Sequence, residues 1–445
     1  MWKRRRILLA AMLIGVVPWP APAAEENKED RAELRIAQRQ LRSPDETQRV
    51  EGIQRLRTMP GAEAAKIIVP AGLVDSAPGV RRAAYHAMLA WKDDPQVSAF
   101  LLGVLKRESR AKKKGLSCVV PLVMILLASE STDTQRDLTK LLDAFAAIPE
   151  NVARLIDAAD ELGKLADDVS LLSLRRMTEL KCFSSVFGVR RAVVQAMILV
   201  RRPKAIEALI DLLPKTDGEV RGDIRRYLVA VAGQIAGADD KVWSSWWKKH
   251  KEDFQFPPRD SKPLSAEAVP GTPSYYGLPI QARRIVFVID ISGSMRGPRL
   301  EAARRELNAT IDKLPDATSL NIVAFSDRTV VWRKTLAPAT PQTKQAAERF
   351  VYLLRAGGRT AAYDALDAAF RFDTEAIYFL SDGAPNAGTI PRPDAILTAV
   401  TQANRARRIS IYTIGIAPGE PGGPLDSFMK TLAEEDFGVY RRVEQ

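Results

Sequence analysis

The chain has 445 residues, of which 46% are apolar and 7% aromatic, and its 66 Lys and Arg against 54 Asp and Glu give a formal net charge of +12. This length exceeds a single ordinary core, at roughly 100 to 200 residues per domain, and the apolar content excludes a wholly disordered chain. The two cysteines, Cys118 and Cys182, lack the spacing of metal ligands, and the sequence leaves open whether they form a disulfide.

The first residues have the three-part pattern of a secretory signal. A basic start, MWKRRR, precedes eleven apolar residues at 7–17, and the small residues of PWPAPAA follow. The apolar stretch is too short to cross a hydrocarbon core of about 30 Å as a helix, and the prolines after it break any extension. We therefore predict a signal peptide at 1–24, cleaved after Ala23 or Ala24, with an uncleaved N-terminal anchor as the alternative.

Export sets the expected compartment and limits the expected partners. The protein is predicted to act in the periplasm, the cell envelope or outside the cell, without a transmembrane helix once the signal is removed. Loss of the four basic residues of the signal lowers the net charge from +12 to +8. This moderate charge allows a weak association with anionic envelope surfaces, whereas nucleic acid does not fit an exported protein.

Residues 30–251 carry apolar side chains three and four positions apart, which predicts helices almost throughout. The phrase GVRRAAYHAML at 79–89 is repeated as GVRRAVVQAMI at 188–198, and each copy is followed by a proline and a second apolar helix. A weaker copy begins at residue 218. This domain resembles HEAT-type helical repeats, whose paired helices bury their apolar faces by stacking, with an irregular helical bundle as the alternative.

Two further features of this half are interpreted as structural. The tripeptide RGD at 221–223 falls inside a predicted repeat helix, where its three side chains point in different directions, so an adhesion role is not expected. Trp243, Trp246 and Trp247 share one face of a short predicted helix, and we expect them to cap the helical stack.

The segment 252–283 contains six prolines and has no periodicity. It is predicted to be a linker that allows independent motion of the domains on either side. Its end, YYGLP at 275–279, is aromatic, and we expect it to pack on the domain that follows.

Residues 284–445 alternate between apolar strands and amphipathic helices. Six segments are predicted as strands: RIVFVID, SLNIVAFSD, TVVWRKTL, AIYFLSDG, ISIYTIGIA and GVYRRV. Continuous apolar strands separated by helices predict a doubly wound, Rossmann-like α/β domain with a mostly parallel, six-stranded sheet. Because TVVWRKTL alternates and follows its predecessor after a short turn, it is predicted to be an antiparallel edge strand.

Polar side chains gather where the predicted strands end. The first strand ends in Asp290, Ser292 and Ser294, a glycine-containing loop supplies Thr360, and the fourth strand ends in Asp382. Parallel strands end at a common edge, which is where ligands of such sheets bind. Three hydroxyls and two carboxylates suit a hard divalent cation, Mg²⁺ first, with Mn²⁺ or Ca²⁺ as alternatives. These five residues are therefore the predicted metal site.

The succession D-x-S-G-S, G-G-x-T followed by YDAL, LSDG and IYTIGI resembles the von Willebrand factor type A domain and covers the whole α/β domain. The resemblance implies a sheet in the order 3-2-1-4-5-6 with a metal-ion-dependent adhesion site, or MIDAS, at its top. It implies that Ser292 and Ser294 bind the metal directly and that Thr360 binds it in the ligand-engaged state. Asp290 and Asp382 are implied to act mainly through waters.

The ligand set points to binding and not to catalysis. Neutral hydroxyls leave the cation electrophilic, with a position for an Asp or Glu carboxylate of a protein partner. We predict a non-enzymatic adhesion or scaffold protein of the cell envelope, with no catalytic residue. The alternative is a structural envelope scaffold whose helical repeats bind the partner. A Mg²⁺-dependent hydrolase has less support, because His86 and His250 both lie in the helical half and no catalytic motif is present.

Overall fold

The structure is a computed structural model, which describes residues 26–110, 117–233, 240–258 and 272–444. The predicted signal peptide lies outside the described residues, as does the middle of the predicted linker. Within these ranges no helix combines the length and the apolar character needed to span a membrane. The described residues of 1–100 and 114–118 form one compact unit, and those of 101–113 and 119–445 form another.

The described chain is helical up to residue 250, as the periodicity predicts. The α-helices of this half are α1 (Glu26–Gln40), α2 (Glu46–Arg57), α3 (Ala62–Ala71), α4 (Pro78–Ala90), α5 (Pro95–Glu108), α6 (Val119–Ala128), α7 (Thr132–Phe145), α8 (Pro149–Leu165), α9 (Asp168–Met177), α10 (Lys181–Ser185), α11 (Phe187–Val200), α12 (Pro203–Leu212), α13 (Gly218–Ala232) and α14 (Lys241–His250). Proline in the first turn of several helices and polar caps mark their starts. At α9, for example, Asp167 and Ser170 form a reciprocal capping box.

The two copies of the repeated phrase form corresponding helices, α4 and α11, with the same buried face. The valine and the methionine of each copy are fully buried: Val80, Met88, Val189 and Met197. Small residues also allow α8 and α11 to lie close together. A Cβ built on Gly163 of α8 would lie 2.9 Å from the Cα of Ala196 in α11. Helices α8 and α11 therefore pack closely at this point.

The three tryptophans of α14 lie on one buried face, as their spacing predicts. Trp243, Trp246 and Trp247 are each at most 7% exposed. The ring centroids of Trp246 and Trp247 lie 5.9 Å and 5.3 Å from that of Phe254, which follows the helix. The aromatic residues therefore form a small core of their own at the end of the helical half.

The C-terminal part contains a two-stranded hairpin and a seven-stranded sheet. The strands are β1 (Ser274–Tyr275), β2 (Leu278–Pro279), β3 (Arg284–Asp290), β4 (Ser319–Phe325), β5 (Thr329–Val331), β6 (Ala337–Pro338), β7 (Ala376–Ser381), β8 (Ser410–Ile416) and β9 (Tyr440–Val443). The large sheet has the order β5-β4-β3-β7-β8-β9, and β6 also pairs with β4. This order confirms the 3-2-1-4-5-6 arrangement that the family resemblance implies.

The sheet has one strand more than the six predicted: only the start of TVVWRKTL forms a strand, β5, and the additional short strand β6 begins just after this segment. Both pair with β4 in the antiparallel direction, as predicted for this segment. Between β5 and β6, the side chain of Asn321 forms hydrogen bonds with the backbone where strand pairing is interrupted. Its amide group donates to the carbonyls of Arg333 and Thr335 at 2.8 Å and 3.3 Å, and its oxygen accepts from the Arg333 amide at 3.2 Å.

Helices cover both faces of the sheet, as the continuous apolar strands predict. They are α15 (Pro298–Lys313), α16 (Pro341–Leu353), α17 (Ala362–Phe370), α18 (Pro393–Asn404) and α19 (Pro424–Glu435). Alternate residues of β3 enter two different cores: Ile285, Phe287 and Ile289 pack with α15 and α16, whereas Val286 and Val288 pack with α17, α18 and α19.

The hairpin that precedes the sheet packs on the same domain. Tyr275 is 1% exposed and its ring contacts that of Phe287, with 5.2 Å between centroids. The turn is formed by Tyr276 and Gly277, both with positive φ, as a tight hairpin requires. The expected packing of the YYGLP segment is confirmed.

The parallel strands define two edges that matter for function. The carboxyl edge is where β3, β4, β7 and β8 end, and the amino edge is where they begin. Because β5 and β6 run antiparallel to β4, β5 lies near the carboxyl edge and β6 reaches the amino edge. Helix α16 starts after β6 and returns to the carboxyl edge, where the Gly357 amide donates to the Ile291 carbonyl at 2.8 Å.

At the amino edge the sheet contacts α11 and α13 through buried and half-buried charged residues, here called the amino-edge cluster: Arg191, Glu219, Asp223 and Arg226. The Arg191 guanidinium donates to Asp223 at 2.7 Å and to the carbonyl of Arg408, which precedes β8, at 2.6 Å. Glu219 accepts from the hydroxyls of Ser410 and Tyr412 in β8, at 3.2 Å and 3.0 Å.

These contacts contradict the prediction of independent motion between the helices and the sheet. Glu219 and Arg191 are at most 1% exposed, so the helix–sheet contact contains buried, paired charges. Helix α8 adds a further ion pair, between Asp160 and Arg408. The proline-rich composition of the linker misled the prediction because it carries no information on contacts made by residues outside the linker. Asp223 of the RGD tripeptide is held inside this cluster.

Candidate metal-binding site

Asp290 ends β3 with both of its carboxylate oxygens engaged. Oδ1 accepts from the Ser292 amide at 2.7 Å, and Oδ2 accepts from the Ser381 hydroxyl at 2.5 Å. Asp290 is fully buried, and burial raises its pKa to about 6 although these hydrogen bonds oppose the shift. Asp290 therefore fixes the start of the serine loop and ties β3 to the end of β7.

The two serines follow in a short 3₁₀ turn at Gly293–Met295. The hydroxyl oxygens of Ser292 and Ser294 are 3.1 Å apart, within hydrogen-bond distance. The Gly293 amide donates to the Gly358 carbonyl at 2.9 Å, which joins this turn to the loop that carries Thr360. Gly358 has a φ of 82°, and a Cβ there would lie 2.3 Å from Asp327 Oδ2, so the loop conformation requires glycine.

Thr360 is buried at the same edge, with its amide donating to the Asn386 side chain at 2.9 Å. Two hydroxyl oxygens lie close to the backbone of Gly383. A Cβ built on Gly383 would lie 3.6 Å from Thr360 Oγ1 and 3.7 Å from Ser294 Oγ. The two hydroxyls therefore border a common space beside Asp382, which the absence of a side chain at Gly383 keeps open.

Asp382 completes the group and has two partners. Its Oδ1 accepts from the Ser294 hydroxyl at 2.6 Å, and its Oδ2 accepts from the Arg299 guanidinium at 2.8 Å. Its side chain is fully buried, whereas that of Arg299 is 34% exposed. Arg299 stands in the first turn of α15, where the helix dipole disfavours a cation, and the carboxylate offsets this cost.

All five residues predicted as metal ligands are thus at the carboxyl edge and linked to one another. Sequence reasoning missed three residues that hold them there: Ser381, Asn386 and Arg299. Ser381 lies within the LSDG motif and could have been found, since a buried serine beside an aspartate has to donate its proton to an acceptor. Arg299 and Asn386 carry no motif signal.

The donors fit a hard divalent cation. The site has two buried carboxylates, and one guanidinium, that of Arg299, pairs with Asp382. This leaves a net negative charge beside the neutral hydroxyls of Ser292, Ser294 and Thr360. Within the described ranges no three His, Cys, Asp or Glu side chains are grouped as they would be around a metal ion. A cation at this edge therefore has to be held largely by hydroxyl oxygens.

Comparison with known proteins adds an independent finding. The family model described as von Willebrand factor type A domain matches residues 283–442. Inter-alpha-trypsin inhibitor heavy chain H3 of Mesocricetus auratus is 34% identical over 181 residues, which is 38% of this chain and 20% of that protein. Heavy chain H6 of Homo sapiens is 30% identical over 184 residues, 38% of this chain and 14% of that protein. This chain thus covers about a fifth or less of the length of these relatives.

Two solved structures are similar to the same share of the chain. A von Willebrand factor type A protein from Catenulispora acidiphila is 24% identical, with a TM-score of 0.33, and the match covers 38% of this chain and 40% of that one. Proximal thread matrix protein 1 from the mussel byssus is 21% identical, with a TM-score of 0.29 and coverage of 36% and 42%. On the match of the family model, residues 283–442 of this chain belong to the von Willebrand factor type A domain family.

Proposed function

We propose that the carboxyl edge holds a divalent cation and uses it to capture an acidic group of a protein partner. The protein would act without catalysis, as an adhesion or scaffold protein exported to the cell envelope. In this proposal residues 30–251 form a helical repeat domain, which 252–283 joins to the type A domain at 284–445. A protein-interaction role agrees with the type A family match.

The observation that carries the proposal is the open space bordered by the hydroxyls of Ser294 and Thr360. These two oxygens come from segments 66 positions apart in the chain, yet both lie within 3.7 Å of the point where a Gly383 Cβ would be. Packing alone gives no reason to gather hydroxyls at the rim beside a buried carboxylate. A shared ligand does give such a reason.

The contacts support a division of roles among the five residues. Ser292, Ser294 and Thr360 would hold the cation directly. Asp290 has both oxygens occupied by hydrogen bonds from the chain, so it orients the serine loop and contributes charge. Asp382 would share the cation's charge through its hydrogen bond to Ser294. A bound Mg²⁺, Mn²⁺ or Ca²⁺ supplies an electrophilic position that a partner's carboxylate oxygen can occupy.

Two other functions have weaker support. In a Mg²⁺-dependent hydrolase, a carboxylate would have to accept a proton from water, but the oxygens of Asp290 and Asp382 already accept hydrogen bonds from the chain. In a structural envelope scaffold, the helical repeats would bind the partner and the cation would have no role in capture.

Affinity purification from the native host tests the proposal, with the full chain as bait in Mg²⁺ and again in EDTA. We expect a set of partners that is present in Mg²⁺, lost in EDTA, and lost in the Ser292→Ala, Ser294→Ala double variant even in Mg²⁺. Partners that persist through chelation would instead indicate capture by the helical repeats. A double variant that retains the Mg²⁺-dependent partners would contradict the proposal.

A further inference from the structure

Beside the metal site, the type A domain exposes a group of apolar side chains. Tyr352 and Leu353, at the end of α16, are 69% and 66% exposed, and Val330 and Val331 of β5 are 46% and 39% exposed. The buried face of α16 is formed by Thr343, Ala347 and Val351, four positions apart. Tyr352 and Leu353 follow this face and turn away from it, so they contribute little to the core.

The topology brings these four residues to the carboxyl edge. In β5, Val330 is paired with Ala324 and Val331 with Val323, next to the end of β4. The residues just after α16 lead directly into the loop that contacts the serine turn, through the hydrogen bond from the Gly293 amide to the Gly358 carbonyl. Both sets therefore lie on the side of the domain that carries the metal site.

A ring contact connects the residue that follows β5 to α16. The half-buried rings of Trp332 and Phe350 have their centroids 6.5 Å apart. Together with the exposed residues on the α16 side they define what we call the apolar patch: Val330, Trp332, Phe350, Tyr352 and Leu353. Val331 is not part of it, because successive strand residues point to opposite faces and its partner Val323 belongs to the core on the α17 side. Exposed apolar side chains grouped at one edge of a domain mark a site of interaction.

The surroundings of the apolar patch are basic. Arg328, Arg333, Lys334 and Arg355 flank it in the sequence, and none of them forms an ion pair with a carboxylate in the described part of the chain. Two acidic side chains lie close to the apolar patch in the sequence: Asp327, which pairs with Arg359, and Glu348. The positive charge of these four residues, like that of a cation at the metal site, favours an acidic partner.

We propose that the apolar patch binds an apolar side chain of the same acidic protein segment whose carboxylate is taken at the metal site. This inference rests on the proposed function and deepens it, because it states what surrounds the captured carboxylate. The partner would be an acidic segment that carries an aromatic or aliphatic residue a few positions from its Asp or Glu. The carboxylate provides dependence on the cation, and the apolar contact provides selection among acidic partners.

A peptide library displayed on phage tests this inference, with the full chain as target in Mg²⁺. Each peptide carries one fixed Asp among random positions. We expect selected peptides to be acidic, to be released by EDTA, and to share an aromatic or aliphatic residue at a fixed spacing from the Asp. Tyr352→Ser with Leu353→Ser should weaken their binding roughly tenfold or more and abolish the apolar preference, while EDTA still releases the residual binding.

Two further variants make the outcome specific. Leu199→Ser removes an apolar side chain of similar exposure, 53%, from α11 and should leave binding unchanged. Ser292→Ala with Ser294→Ala should abolish selection altogether. Acidic, EDTA-sensitive peptides without an apolar preference, or an apolar preference unaffected by the Tyr352 and Leu353 changes, would overturn the inference and leave the proposed function standing. Failure to select any EDTA-sensitive peptide would overturn both.

Discussion

Polar side chains at the two edges of the sheet differ in whether their partners are within the protein. At the amino edge, Arg191 and Glu219 are buried against each other's helices and against β8, and the Arg191 donors are directed at protein acceptors. At the carboxyl edge, the hydroxyls of Ser294 and Thr360 border a space that no side chain fills. Charges that are paired within the protein serve the structure, whereas donor atoms left around an open space can serve a ligand.

The largest expected effect comes from breaking the amino-edge cluster. Burial lowers the pKa of Arg191, but the charges of Asp223 and Glu219 outweigh this effect and raise it. Arg191→Ala would leave these carboxylates buried without their main partner, and one oxygen of Glu219 already has no hydrogen bond among the described residues. We expect the free energy of unfolding, from urea titration, to fall by about 3 to 5 kcal/mol.

An exposed ion pair near the same edge is the matched control. Arg405 bonds to Asp157 of α8 at 2.6 Å, but its side chain is 70% exposed. Arg405→Ala should change the free energy of unfolding by no more than about 1 kcal/mol. Equal effects of the two substitutions would show that the amino-edge cluster is no more important than a surface pair, and the contrast between the edges would be lost.

A buried carboxylate with no cationic partner in the described part of the chain should give the next largest effect. Asp436, which precedes β9, accepts from the Asn404 side chain at 2.9 Å, and burial raises its pKa from 3.8 to about 6. The folded state therefore holds this proton more tightly than the unfolded chain does. Its contribution to stability is present at low pH and is lost as the pH rises from about 4 to about 6, which amounts to about 2 to 3 kcal/mol.

Asp436→Asn isolates this contribution. In urea unfolding at a series of pH values, the stability of the variant relative to the original chain should increase as the pH rises from about 4 to about 6, because only the original chain loses the contribution of Asp436. A stability difference that stays constant over this range would contradict the assigned pKa. The difference between the two chains removes the effect of other titrating groups, including Asp290.

The grouping of the candidate metal ligands could be predicted because Asp290, Ser292, Ser294 and Asp382 follow apolar strands, and parallel strands all end at one edge. Thr360 was found from the glycine-containing loop that precedes α17. The amino-edge cluster could not be predicted, because its contacts join residues far apart in the chain. The repeated phrase GVRR illustrates this: Arg82 of the first copy is exposed, whereas the matching Arg191 of the second copy is 1% exposed. The same local sequence has a different role where β8 provides a partner.

Arg299 provides a smaller test, at the carboxyl edge. Its guanidinium donates to Asp382 at 2.8 Å and neutralises part of the charge of this carboxylate. Arg299 should therefore weaken the binding of a cation at the same site. Arg299→Gln should therefore tighten Mg²⁺ binding by severalfold, up to roughly tenfold. Arg296→Gln is the control, since this exposed arginine lies in the same loop and its charge is screened by solvent, so its effect should be smaller. Unchanged or weaker Mg²⁺ binding by Arg299→Gln would contradict the assigned competition.

Titration calorimetry of the full chain with Mg²⁺, Mn²⁺ and Ca²⁺ tests the central claim most directly. We expect the original chain to bind a single cation. The Ser292→Ala, Ser294→Ala variant should bind none at the same concentrations while unfolding at the same temperature as the metal-free original, because neither serine belongs to the two hydrophobic cores of the domain. Absence of cation binding by the original chain, or equal binding by the variant, would contradict the assignment of the carboxyl edge as a metal site.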